Sequence, residues 1–68
     1  MKLIRVKILE TGELIELDIN EIRIGDLLRK LGLSLVEHIV LRNNEIVTEE
    51  DTAVSGDELV VFTVKSGG

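Results

Sequence analysis

Cysteine is absent and histidine occurs once, at position 38. Disulfides, thiolate metal sites, iron–sulfur clusters and cysteine nucleophiles are therefore excluded, and a lone imidazole cannot make a zinc site without carboxylate help. Aromatics are as scarce. Phe62 is the only one, so the interior must be aliphatic, built from the Ile, Leu and Val that supply nearly all of the 44% hydrophobic content. The longest uncharged runs, Leu31 to Val36 and Leu59 to Val64, have six residues each, far short of the roughly 20 that a membrane span needs. Arg5 and Lys7 interrupt the only stretch after Met1 that could serve as the apolar region of a secretory signal. The expected location is the cytoplasm, with no membrane partner. Basic residues are outnumbered, 8 against 13 acidic ones, for a net charge of −5, which repels phosphate backbones and argues against nucleic acid as the main ligand. A basic or neutral partner fits better.

Sixty-eight residues leave room for one small module, which buries only about 60% of the surface its unfolded chain exposes. No staple is visible, so the aliphatic core must stabilise it. From Leu3 to Leu9 apolar and charged residues alternate, with Ile4, Val6 and Ile8 on one face and Arg5 and Lys7 on the other, the period of a half-buried strand. Thr11-Gly12 breaks the pattern at a turn, and Leu14 to Ile19 resumes it with Ile15, Leu17 and Ile19 inward. Gly12 suits a positive-φ turn position because it has no Cβ to clash. Ile24, Leu27, Leu28 and Leu31 follow the i, i+3, i+4, i+7 spacing of one helical stripe, and Gly32 reads as its C-terminal cap behind Arg29 and Lys30. Gly25 is a blemish early in this helix, costing roughly 1 kcal/mol against alanine at an interior position and less in the first turn.

His38 to Arg42 reads as a third strand, Asn43-Asn44 as a tight turn and Ile46-Val47 as a short fourth strand. The stretch from 45 to 58 holds six acidic residues and no Lys or Arg, so an acidic, solvated loop anchored by Val54 is expected there. After a Ser55-Gly56-Asp57 turn, Leu59 to Val64 is the last strand. The order is ββαβββ. A mixed sheet wrapping one face around the single helix buries every stripe, and that is an α+β fold, the β-grasp. The domain is expected over 1–65, with a flexible tail at 66–68 ending in Gly67-Gly68.

These residues resemble a known family. Val6-Lys7-Ile8-Leu9, Thr11-Gly12 and Glu16-Leu17-Asp18 are similar to the first hairpin of ubiquitin. The Asn43-Asn44-Glu45-Ile46-Val47 turn, Gly56-Asp57-Glu58-Leu59 and Phe62-Thr63-Val64 before Ser66-Gly67-Gly68 resemble the ubiquitin-like sulfur carriers. Those are the thiamine-pathway carrier ThiS, the molybdopterin synthase small subunit MoaD and the archaeal small modifiers. Arg42 departs from the carriers, which usually have an apolar residue there. The resemblance implies a substrate of an activating enzyme, with no catalytic residue of its own. The carboxylate of Gly68 would be adenylated and converted to a thiocarboxylate, with Gly67 and Ser66 threading into the enzyme. It further implies an E1-like adenylating enzyme, a sulfur donor and a sulfur-acceptor synthase as partners. No cofactor is bound; ATP is consumed by the activating enzyme, and the free carrier is expected to be a monomer. The thiamine branch is the nearer one, with the molybdopterin subunit and a modifier forming isopeptides with lysines as alternatives. A third class, a β-grasp interaction domain that makes no use of its terminus, would tolerate loss of Gly67-Gly68.

The need for glycine at such a terminus is steric: a tail entering a narrow channel to reach ATP passes most easily without side chains and with free φ and ψ. Glycine is also common at loose chain ends, so the pair gains its meaning from the rest of the chain. If Leu59 and Val61 face the helix, alternation puts Val60, Phe62 and Val64 on the other side, a wetted stripe suited to docking a partner and extended by Leu41 or Val40. His38 has no Ser or Cys nucleophile placed beside it and reads as a partly exposed strand residue without a catalytic role. Glu49, Glu50 and Asp51 lack the alternating ligand spacing of a calcium loop. They read as a solvated charge run, and no metal site is expected.

Overall fold

The order of elements in the computed structural model, which describes residues 2–64, is β1 (Ile4–Ile8), β2 (Glu13–Leu17), β3 (Glu21–Arg23), α1 (Ile24–Leu31), β4 (His38–Arg42), β5 (Glu45–Val47), β6 (Thr52–Val54) and β7 (Glu58–Thr63). The tail expected at 66–68 lies outside the described residues. Strict alternation makes β1 a strand with one dry side: Ile4, Val6 and Ile8 are buried while Arg5 and Lys7 are exposed. The turn after it holds Gly12 at φ +75°, and the Gly12 N–H closes it on the Ile8 carbonyl at 2.8 Å. Five strands form one sheet in the order β2-β1-β7-β4-β5. Its first and last strands in sequence, β1 and β7, pair in parallel, and the other neighbours are antiparallel. Asn43 and Asn44, at φ 51° and 72°, form the two-residue hairpin between β4 and β5, a conformation asparagine tolerates well.

Helix α1 lies against one side of this sheet. Its stripe of Ile24, Leu27 and Leu28 joins Ile4, Val6, Val40, Ala53, Leu59 and Val61 in a single buried cluster, with Leu31, Ile15, Leu17 and Ile19 packed around it. The helix ends as expected: Gly32 takes the left-handed conformation at φ +75°, and the Leu33 N–H returns to the Leu28 carbonyl at 2.8 Å. The mixed sheet on one helix is the β-grasp arrangement that the patterning predicts.

The acidic stretch is where the structure departs from the expectation of a solvated loop. Residues 52–54 form β6, which pairs with β3 in a second, two-stranded sheet, so ββαβββ lacks two short strands. The register sets Ala53 opposite Ile22, and Ala53 is fully buried while Val54 is 47% exposed. Ala53, not Val54, anchors the segment. The preceding turn is closed by Asp51, whose carboxylate accepts the Thr48 N–H at 2.7 Å and the Thr48 hydroxyl at 3.3 Å. That turn also caps the helix. Arg23 offers α1 no side-chain cap, and the first helical N–H groups of Ile24 and Gly25 instead donate to the backbone carbonyls of Asp51 and Glu49, at 2.8 and 2.9 Å.

Gly25 is therefore no blemish. It is buried in the first turn, and a Cβ there would stand 3.3 Å from the Glu49 carbonyl oxygen, so any side chain would push on the backbone that caps the helix, and glycine avoids that push. Arg42 is explained in the same region: its half-buried guanidinium donates to the Thr52 carbonyl, tying the end of β4 to β6. An apolar side chain could not make that bond.

Two substitutions test this packing. Leu28→Ala should cost about 2 to 5 kcal/mol in urea melts; a loss under about 0.5 kcal/mol, the range of surface changes, would contradict its burial. Arg42→Met keeps most of the volume and removes the donor, and should cost roughly 1 to 3 kcal/mol, as for a hydrogen bond to a charged group. Unchanged stability would show that the two sheets hold together without it.

Candidate functional site

β7 has apolar side chains on both faces, and its two sides have different fates. Leu59 and Val61 point to the helix and are buried, at 1% and 0% exposure; Val60 and Phe62 point the other way. Val60 and Phe62 are half-buried by their neighbours on the sheet rather than bare. Val64 lies one residue past the strand and is exposed, its N–H donating to the Glu37 carbonyl at 2.9 Å. The expected stripe is therefore a strand face at Val60 and Phe62 and the root of the tail at Val64.

The strand registers extend this face in both directions. Lys7 pairs with Leu14 on one side and Val60 on the other, Val60 pairs with Leu41, and Leu41 with Ile46. One row therefore crosses all five strands as Leu14, Lys7, Val60, Leu41 and Ile46. Leu14 and Ile46 at its ends are 62% and 72% exposed. Phe62 pairs with Ile39 in the next row toward the tail, beside the exposed Leu9. On the opposite flank the row is charged, with Glu16, Arg5 and Glu58 in register and Arg5 3.5 Å from Glu16. The face grades from charged to apolar as it approaches the tail.

Of the two β4 residues that could extend the stripe, Leu41 lies on it and Val40 does not: Val40 is 2% exposed and part of the core. Ile39, Leu14 and Ile46 are further members that strand-by-strand reading misses. A signal for one of them exists. A two-residue hairpin at Asn43-Asn44 sets Arg42 opposite Glu45, and hence Leu41 opposite Ile46.

His38 closes the tail end of the core. Its side chain is only 10% exposed, Nδ1 lies 2.8 Å from the Ser34 carbonyl oxygen and Nε2 3.7 Å from the Glu10 carboxylate. It pairs with Thr63, the last residue of β7. The ring thus ties together the β1–β2 turn, the connection after α1 and the end of β7, as a partly exposed residue of β4 whose side chain is mostly covered. Among the described residues its ring nitrogens meet the Ser34 carbonyl oxygen and the Glu10 carboxylate, not a Ser or Thr hydroxyl. Among the described residues no group of three His, Asp or Glu could hold a metal ion, and the carboxylate of Asp51 is engaged by Thr48. No helix among them is long and apolar enough to cross a membrane. Ser66, Gly67 and Gly68 lie outside the described residues.

The arrangement, an apolar sheet face beside the root of a C-terminal segment, suits a body that is held by another protein while its end is presented. A family model, the ThiS family, matches residues 6–68, from the second inward residue of β1 through both terminal glycines. The chain therefore belongs to the ThiS family, the ubiquitin-like sulfur carriers.

Proposed function

We propose that this protein carries sulfur as a thiocarboxylate on Gly68 and delivers it in thiazole formation for thiamine. It acts as the substrate of an ATP-dependent activating enzyme rather than as a catalyst. A carboxylate oxygen of Gly68 attacks the α-phosphorus of ATP, pyrophosphate leaves, and an acyl adenylate results. Hydrosulfide released by the donor then attacks the acyl carbon and displaces AMP, leaving the thiocarboxylate that the acceptor synthase consumes. ATP is bound and spent on the partner. The observation that carries this reading is that the family match runs through Gly67 and Gly68, the two residues whose lack of side chains suits a narrow channel. The apolar rows around Val60 and Phe62, next to the root of the tail at Val64, support docking through the sheet face.

Deleting Gly68 should leave the melting curve within roughly 0.5 kcal/mol of wild type, as for surface changes, and abolish ATP–pyrophosphate exchange with the activating enzyme of the same host. Normal exchange by the deletion would refute the role of Gly68. Protein purified from that host should carry a fraction heavier by one sulfur less one oxygen. Isopeptide adducts on the lysines of other proteins would instead identify a modifier, and loss of molybdopterin rather than thiamine on gene deletion would identify the other carrier branch.

Phe62→Ala separates docking from folding. The half-buried ring should cost less stability than Leu28→Ala, while an aromatic anchor at an interface centre typically contributes about 2 kcal/mol or more, close to a thirtyfold rise in Kd. Calorimetric titration against the activating enzyme reads this directly. Wild-type affinity would remove the sheet face from the interface.

A further inference from the structure

The apolar row across the sheet contains one charge, and among the described residues that charge has no partner. Lys7 is exposed and stands in register between Leu14 and Val60, with Leu41 and Ile46 beyond. Neighbouring strands lie about 4.8 Å apart, so this row runs for roughly 19 Å across the face. The two carboxylates in the adjoining row, Glu16 and Glu58, are both in register with Arg5, and Arg5 lies 3.5 Å from Glu16. Lys7 forms no ion pair among the described residues. An open groove of about 490 Å³ adjoins it, lined by Arg5, Lys7, Leu14, Glu58 and Val60 among others.

A protein covering Val60 and Leu41 must also cover or border the Lys7 ammonium. Removing an unpaired ammonium from water is costly, and the cost falls only if an opposite charge with good geometry meets it. The molecule as a whole has a charge of −5, which by itself disfavours an acidic partner. The two rows around Lys7 do not share that excess: Arg5 and Lys7 balance Glu16 and Glu58 (2 − 2 = 0). An acidic group approaching Lys7 therefore meets a locally neutral surface, with the nearest carboxylates already aligned with Arg5.

We infer that the partner seated on this sheet face presents a carboxylate to Lys7, set within an otherwise apolar contact, and that Lys7 selects partners that do so. This inference rests on docking through the sheet face. It adds a specificity determinant to that face, one step from Val60 and on the side away from the tail.

The test uses the full chain and the host's activating enzyme in calorimetric titrations of wild type, Lys7→Arg, Lys7→Met, Lys7→Glu and Phe62→Ala. Lys7 is exposed and forms no ion pair among the described residues, so its variants should melt like wild type. Lys7→Met should raise Kd at least about tenfold by leaving the partner's carboxylate unpaired, Lys7→Glu should raise it further, and Lys7→Arg should stay within a few-fold. Raising ionic strength from about 0.05 to 0.5 M should weaken wild type more than Lys7→Met, since screening acts on the charge pair. Wild-type or tighter binding by Lys7→Met, with Phe62→Ala impaired, would overturn the carboxylate and leave the docking face standing. Wild-type binding by both variants would overturn the docking face and the inference with it.

Discussion

Strand β7 is held on both sides, in parallel by β1 and antiparallel by β4, and this double ladder is the constraint on which the rest of the molecule depends. A strand in the middle of a sheet has no free edge, so its only variables are what its two faces touch. One face supplies Leu59 and Val61 to the core against α1. The other supplies Val60 and Phe62 to an uncovered surface. Because side chains alternate with a period of two, neither set can shift without the other: a one-residue slip would turn Leu59 and Val61 outward and leave Glu58 and Val60 facing the helix. The packing that stabilises the fold also fixes which residues face a partner.

The acidic stretch between β5 and β7 solves a second problem. Helix α1 spans eight residues, short for a helix to be stable alone, so it depends on packing and on having its terminal groups satisfied. Its N-terminus receives two backbone carbonyls from residues 49 and 51. The turn that offers them is closed by Asp51 on Thr48, and the following strand is anchored by Ala53 and tied to β4 by Arg42. Side chains that read as solvated charge thus belong to a segment whose backbone does the structural work. The acids keep the outer side of that turn in water while its carbonyls face the helix.

This division explains what the sequence made legible and what it did not. The alternation of β1, the 3, 4, 7 spacing of α1, the left-handed positions at Gly12, Gly32 and Asn43-Asn44, and the phase of the last strand are all local patterns, and the structure follows them. The pair β3 and β6 was not legible, since three residues each are too few for a period and what defines them is their pairing across the chain. The same holds for Gly25, Ala53 and Arg42. Propensity makes Gly25 a fault, size makes Val54 a better anchor than Ala53, and Arg42 interrupts an apolar strand; each follows from a contact with a segment 10 or more residues away. The outward face lies between these cases. Val60 and Phe62 follow from alternation alone, whereas Ile39, Leu14 and Ile46 need the strand order as well.

Under the proposed function, the position of β7 also limits where the chemistry can take place. Val64 is bonded to Glu37, so the body reaches at least to residue 64, and four residues follow it to the end of the sequence. A fully extended chain spans at most about 3.6 Å per residue, which places the Gly68 carboxylate no more than roughly 14 Å beyond Val64. A partner that seats Phe62 and Ile39 must therefore hold its nucleotide within that radius of the adjoining surface. Lengthening the tail would relax this requirement but add conformational freedom to be lost on every engagement, at about 1 to 2 kcal/mol per ordered residue. On that proposal, a segment leaving the central strand lets one docking event fix both the orientation of the body and the reach of Gly68.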